Sequence, residues 1–372
     1  MRILEVCYND PESHCGGVED FVLNLIVQMS KKGHKVTCIF SDRTLPNSTG
    51  VDYKKVNIFS IRNPREAVLS QLHKIAYNFA VLLYVVKNRN DFDVFHINGD
   101  NGVFLAPFFG RKAISTFFGM PIFKLWNTYK NTRSMKNFPR LMIALMGTMI
   151  HFPSLLFSKF VVADNPQITR FLRNFRNFND VKLIYNCVDT EIFKTITPDQ
   201  KIKLRKELNL DTSKKYAIWI GNDAKGYGQD VAFSIALNHK VDFTLLSVGS
   251  PSEINGDNII QLGRLDHETL AKYIRSSDFM IFPQRYPGIS LSMVSAMISG
   301  LKVVTFSKYM SDFFTVDNAI FAKTPEEMDK IVTEILRNPS LLDTSGKRSD
   351  PILLEFCPDN CAQKYLNLYE GL

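Results

Sequence analysis

The chain has 372 residues, 45% of them hydrophobic and 22% charged, a composition ordinary for a globular protein and long enough for two domains whose cores need no disulfides. A formal net charge of +8 favours an anionic partner, whether nucleotide, lipid head group or nucleic acid, without choosing among them. The nearest approach to a membrane span, LMIALMGTMIHFPSLLF at 141–157, is broken by Gly147, His151 and Pro153, which argues against a transmembrane helix.

Read from its start, MRILEVCYND is a core strand rather than a signal peptide. The six cysteines are scattered and read as reduced cytosolic thiols. Cys357 and Cys361 make one CxxxC pair with no second Cys or His pair near it, so a metal site is not expected. SHCGGVED is a turn. FVLNLIVQMSKKGH then places Phe21, Leu23, Ile26 and Met29 at helical spacing, and KVTCIF is a second strand. This strand–helix–strand opening, with near-continuous apolar strands, suits a parallel sheet covered on both faces.

Further strands follow at VFHI, KAISTFF and KFVVAD, then a strand and turn in VKLIYNCVDTEIF. The polar stretch TPDQKIKLRKELNLDTSKK reads as a partly helical connector. A second alternating series runs through YAIWIG, FTLLSVG, IIQLGRL, DFMIFP and LKVVTF. The expected architecture is therefore α/β, with two doubly wound sheets facing across a cleft. The expected divisions are 1–193, 194–352, and a last segment 353–372 that packs back on the first half. Ligands bind at the carboxyl ends of the strands in such sheets.

Several stretches carry chemistry at those ends. Gly16 and Gly17 stand between a strand and a helix, where paired glycines let backbone N–H groups approach a phosphate or sugar oxygen; the alternative is a plain tight turn. Gly288, Ile289 and Ser290, in PQRYPGISLSMVSAM, offer main-chain N–H groups in the same way. His96, Asn98 and Asp100 follow a strand, with Asp100 suited to orient an acceptor hydroxyl; a lone histidine in that place is more often structural. Arg264 follows a strand and a glycine, and Asp266 reads as the N-cap of the next helix. The segment 123–146 mixes Lys124, Lys130, Arg133, Lys136 and Arg140 with Trp126, Tyr129 and Phe138 and holds no acid. That mixture suits peripheral contact with an anionic membrane surface, against the reading of a solvated loop and a buried helix.

Five phrases in order, GGVED, IYNCVDTEIF, IGNDAKGYGQD, LGRLDHETLAKYIRSSDFMIFP and PQRYPGISLSMVSAM, resemble the glycosyltransferase-4 family of GT-B glycosyltransferases over nearly the whole span to about residue 307. The resemblance implies two Rossmann-like domains, acceptor-side first and donor-side second. It implies transfer of a sugar from a nucleotide-sugar, with retention, to a glycan or lipid-linked acceptor. It implies no cofactor beyond the nucleotide-diphosphate sugar as co-substrate, and no obligatory metal. The place would be cytoplasmic, on the cytoplasmic face of a membrane where the acceptor is lipid-linked. By the same resemblance, Gly16 and Gly17 lie against the donor, and Phe118, near the family's histidine place, becomes an acceptor-side or stacking wall beside Asn98 and His96.

The chain departs from the family where donor chemistry is concentrated. Asn222 stands at the arginine place and Tyr227 at the lysine place of the cations that clamp the diphosphate. Pro287 and Ser295 stand where the two glutamates do. Ser295 retains a hydroxyl for a ribose, neutral and weaker than a carboxylate. Lys225, two residues from the lysine place, is the expected catalytic cation, flexible enough to swing onto a phosphate. Arg264 and Arg285 are further phosphate candidates. Three readings stay open: an active transferase with a divergent donor site, a catalytically inactive binding protein or partner subunit, and a transferase acting on nucleic acid. The last rests on charge alone, since no groove-reading motif occurs.

Overall fold

A computed structural model describes residues 1–9, 17–41, 51–55, 67–119, 138–222, 224–285, 289–306, 318–342 and 350–372. The chain divides into two compact units: unit 1 is Met1–Cys187 with Pro358–Leu372, and unit 2 is Val188–Cys357.

Unit 1 is built on β1 (Arg2–Val6), β2 (Lys35–Phe40), β3 (Asp52–Lys55), β4 (Val94–Asn98), β5 (Ala113–Phe117), β6 (Phe160–Ala163) and β7 (Val181–Leu183). Their order is β3-β2-β1-β4-β5-β6-β7 and every pairing is parallel. Apart from Arg2 at the start of β1, the central strands β1, β4 and β5 are buried, as a sheet covered on both faces requires. The helices are α1 (Gly17–Lys31), α2 (Ala67–Lys87), α3 (Ala106–Phe109), α4 (Phe138–Phe157) and α5 (Pro166–Leu172). Right-handed crossovers place α1, which joins β1 to β2, on one face. They place α2 through α5, whose connections run the other way along the sheet, on the opposite face. α1 buries Phe21, Val22, Leu25, Ile26 and Met29, so its inward stripe runs through Val22 and Leu25, and the expected Leu23 sits on its flank, only partly buried. The last helix of the chain, Pro358–Tyr369, packs against α1 and buries Cys361, Ala362, Tyr365, Leu366 and Tyr369 in the same core.

Unit 2 carries α6 (Pro198–Glu207), β8 (Tyr216–Gly221), α7 (Gln229–Asn238), β9 (Thr244–Gly249), β10 (Ile259–Gly263), α8 (His267–Ser276) and β11 (Phe279–Phe282). It continues with α9 (Leu291–Ile298), β12 (Lys302–Phe306), β13 (Ala319–Ala322), α10 (Pro325–Arg337) and α11 (Asp350–Phe356); the last helix of the chain is α12. The sheet is again fully parallel, in the order β10-β9-β8-β11-β12-β13. Asp266 caps α8 through its carboxylate, which accepts from Thr269 N at 2.9 Å, as its sequence position predicts. The polar stretch expected as a connector is instead part of unit 2. Thr197 and Gln200 close a capping box on α6. Arg205 is buried, donating to Ser276 O at 2.9 Å, Lys214 O at 3.1 Å and Asp278 Oδ2 at 2.7 Å. A charged helix reads as a linker until its one buried cation has an acid to meet, and that acid lies 73 residues on.

In each sheet the connection reverses direction once: between β1 and β4 in unit 1, and between β8 and β11 in unit 2. The loops leaving the carboxyl ends there frame the crevice in which doubly wound sheets hold ligands.

Candidate functional site

In unit 2 the loop after β8 and the loop after β11 flank the reversal point, and they are clasped together. Arg285 Nη1 and Nη2 grip Asp230 Oδ1 and Oδ2 at 2.7 and 2.8 Å, a two-point contact that fixes both planes. The same guanidinium donates to Lys225 O at 2.8 Å, and Arg285 N donates to Gly226 O at 2.9 Å. The pairing holds the Asp230 carboxyl below its usual range, chiefly through the hydrogen bonds from Arg285. Arg285, expected as a phosphate ligand, is thus corrected to a loop clasp, because its fork already meets an acid and a carbonyl.

Close packing shapes the same loop. Gly228 has φ of +69°, and a Cβ there would lie 2.3 Å from Pro283 O. Gly249 has φ of +108°, and its Cβ would lie 2.2 Å from Gly221 O. Only glycine lets these three strand ends converge. Tyr227, at the family's lysine place, packs its ring 5.6 Å from Phe282, and its carbonyl accepts from Trp219 Nε1 at 2.9 Å. It is a packing residue. Asn222 and Lys225 are exposed on this loop.

Ser290 precedes α9 with extended backbone, and its hydroxyl makes no capping bond to the first turn. That turn keeps N–H groups available for an external acceptor. Ile289 and Ser290 are half-buried beside it. Gly288, with Tyr286 and Pro287, lies outside the described residues. Ser295 is 5% exposed within α9, between Met293 and Met297, so the side chain expected on the ribose is packed inside unit 2. Arg264 is exposed after β10, but β9 separates that strand from β8, placing it about 10 Å of sheet away from the reversal point.

In unit 1, Gly17 opens α1 with an exposed backbone, and a Cβ there would meet no atom within 4 Å, so packing does not demand this glycine. Gly16 lies outside the described residues. His96, expected as a catalytic group, is fully buried and is corrected to a structural one. Its Nδ1 is 2.8 Å from Glu5 Oε1 and 2.7 Å from Tyr369 OH, and its Nε2 is 2.8 Å from Thr116 Oγ1. Glu5 and His96 are register partners on β1 and β4, so one face of the sheet brings them together. Asn98 is equally buried and donates to Glu5 Oε2 at 2.8 Å, which moves it from the acceptor side into the same network. Glu5, the one acid in an apolar strand, was the sequence signal for this network.

Asp100 stays near solvent, paired with Lys74, in a turn whose carbonyl accepts from Asn78 Nδ2 at 2.9 Å. Phe118 is half-buried, its ring 5.1 Å from that of Phe21. Two residues not singled out by sequence also lie at this edge. Asp164, at the carboxyl end of β6, accepts from Asn165 Nδ2 at 2.8 Å, Asn186 Nδ2 at 3.3 Å and the Gly119 N–H, yet burial pushes its carboxyl up to about 6. His151, on α4, is 8% exposed, lies against Phe117 with ring centres 5.5 Å apart, and burial lowers the pKa of its imidazole. Its Nδ1 and the Oδ1 atoms of Asn98 and Asn186 are buried without a hydrogen-bond partner. An acid closing an apolar strand, as in VVAD, was the readable signal for Asp164.

Of the segment 123–146, residues 123–137 lie outside the described residues, and the remainder forms the first half of α4. Among the described residues no helix is long and apolar enough to cross a membrane, and no group of three His, Cys, Asp or Glu is arranged to hold a metal ion.

The family model described as Glycosyltransferase Family 4 matches residues 15–192, and the model described as Glycosyl transferases group 1 matches residues 218–338. An uncharacterized glycosyltransferase of Methanocaldococcus jannaschii is 25% identical over 237 residues; the match takes in 59% of this chain and 60% of that protein's length. The structure of sucrose-phosphate synthase from Thermosynechococcus elongatus is similar with a TM-score of 0.81 at 18% identity, covering 100% of this chain and 98% of that one. Anabaena HepE in complex with UDP and glucose is similar with a TM-score of 0.74 at 14% identity, covering 100% of both chains.

Proposed function

Because the chain belongs to the family 4 glycosyltransferases of GT-B fold, we propose that it moves a sugar from a nucleotide-diphosphate sugar to a glycan or lipid-linked acceptor. The observation that carries this reading is the clasped pair of loops at the reversal point of unit 2. One presents exposed Lys225 and Asn222; the other leads into the uncapped first turn of α9. Backbone N–H groups of that turn, with Gly288, Ile289 and Ser290 leading into it, receive the diphosphate oxygens. The Lys225 ammonium faces the negative charge that grows on the leaving diphosphate as the bond to the sugar breaks. The complex of Anabaena HepE with UDP and glucose supports a donor of this chemical kind.

The acceptor side follows from unit 1. Gly17 leaves room at the start of α1, and Asp100, near solvent in the turn after β4, orients an acceptor hydroxyl. Reaction with retention, without an obligatory metal or further cofactor, rests on the family resemblance, as does a place at the cytoplasmic face of a membrane with contact through 123–146.

A second reading, a non-catalytic binding protein, is favoured by Tyr227 and Ser295, which turn inward and offer the donor neither cation nor carboxylate. Calorimetry with UDP-, GDP- and dTDP-sugars, followed by an assay for hydrolysis or transfer, separates the two. A bound sugar that is transferred or hydrolysed supports the enzyme. A bound sugar left intact supports the binder, and no binding to any member of the panel overturns both.

A further inference from the structure

All twelve exposed large hydrophobic side chains described in unit 1 lie between α2 and β7, and none lies on α1 or α12. Ten of them lie on α2, α3 and α4, in the helical layer that the crossovers put on one face of the sheet, and Phe175 and Phe178 lie between α5 and β7. On α2 they form a stripe, Leu72, Ile75, Phe79, Leu83 and Val86, spaced by three and four residues. That is the spacing of one helix face, about 21 Å long. The opposite face of α2 is already used: Tyr77, Val81 and Val85 are fully buried in the core. The outer stripe is therefore a second apolar face, at a cost a helix solvated on that side would not carry.

α4 packs beside α2 and α3 and extends the patch with Met149, Phe152, Leu156 and Phe157. Phe108 of α3 is 69% exposed next to them. A concavity of about 460 Å³ opens between Phe108, Phe109, Phe157 and the Arg111–Lys112 pair, at the amino edge of the sheet and away from the site loops. The charge pattern is one-sided. The sequences of α2, α3 and α4 contain no Asp or Glu, and at the helix ends exposed Lys87, Arg89, Arg111, Lys112 and Lys159 outnumber the exposed acid Asp91.

We infer that the α2–α4 layer of unit 1 docks onto an anionic lipid bilayer, lying in its interface with the α2 stripe and α4 side chains inserted and the Arg111–Lys112 pair on the head groups. An apolar helical face that holds no acid, with cations in excess at its border, is suited to that surface. A second copy of the chain would bring the same cations against each other. The assignment uses elements other than 123–137 and does not depend on sugar transfer.

Flotation of the full chain with equimolar phosphatidylcholine–phosphatidylglycerol vesicles tests it. Phe79→Ser combined with Leu83→Ser, both at half-exposed positions, should lower the partition coefficient at least tenfold with an unchanged melting temperature. Arg111→Glu with Lys112→Glu should lower it by about fivefold per charge on these vesicles and little on pure phosphatidylcholine. Leu354→Ser, an exposed apolar change in unit 2, should leave it unchanged. The assignment is overturned if the full chain fails to float. Wild-type partitioning of the Phe79/Leu83 variant overturns it too, as does a lipid-free dimer that this variant abolishes. Loss of binding only when Lys130, Arg133 and Lys136 become Glu would move the contact to that segment instead.

Discussion

Units 1 and 2 order their first six strands alike, yet they distribute polar and apolar side chains in opposite ways. Unit 1 puts polarity inside: Glu5, His96, Asn98 and Thr116 occupy strands at the centre of the sheet, closed over by Tyr365 and Tyr369 of α12. It puts apolar side chains outside, on one helical layer. Unit 2 keeps β8 and β11 apolar and fully buried, and its polar pairs join a helix to a loop or a strand end, as with Asp230 of α7 and Arg285, and Arg205 of α6 and Asp278. Among the described residues its six exposed large hydrophobics scatter over α6, α11, β10 and loops. The topology fixes where a ligand crevice forms, while the placement of polar groups decides whether a unit holds its shape by a core network or by its loops.

That contrast can be broken experimentally, beginning with the strongest effect. His96→Ala strips the Glu5 carboxylate of a buried partner and should cost about 3–5 kcal/mol of unfolding free energy, read by denaturant titration. A loss under about 1 kcal/mol would mean the network adds little to unit 1. Asp164 gives the next effect. Its folded carboxyl titrates near 6 against an ordinary 3.8, so the folded state binds the proton more tightly. Stability should fall as pH rises from about 4 to about 6, by roughly 2–3 kcal/mol, and Asp164→Asn should flatten that slope in melting curves. Parallel slopes for both proteins would remove Asp164 as the cause.

In unit 2 the effects should appear in binding rather than folding. Lys225→Ala should weaken nucleoside-diphosphate affinity by more than about tenfold, the loss of one charge-assisted contact, with the melting temperature held. An unchanged dissociation constant would take that side chain out of the site. Arg285→Lys keeps the charge but loses the two-point grip on Asp230, so binding should weaken by about threefold to tenfold through a loosened loop. Affinity equal to wild type would show that the clasp does not position Lys225.

Much of this molecule can be read in one dimension. Near-continuous apolar strands alternating with amphipathic helices predict two parallel sheets, and IGNDAKGYGQD marks the loop after β8, while the described part of GGVED opens α1. The cap at Asp266 is equally local, since its partner Thr269 is three residues away. The errors share a cause. His96 reads in sequence as a site residue at a strand end, but it lies inside β4 against Glu5, 91 residues distant. Arg285 looks like a free cation until Asp230, 55 residues back, occupies it.

The sequence alone determined the alternation of strands and helices, the family, and the loops that reach the carboxyl edges, because each depends on side-chain periodicity or on turns of a few residues. The tertiary structure decided which charged groups in those loops are committed to one another, and which helical face is left apolar and outward. Both depend on strands and helices distant in sequence meeting at a few ångströms, where a salt bridge or a buried ring is set by geometry rather than by residue type.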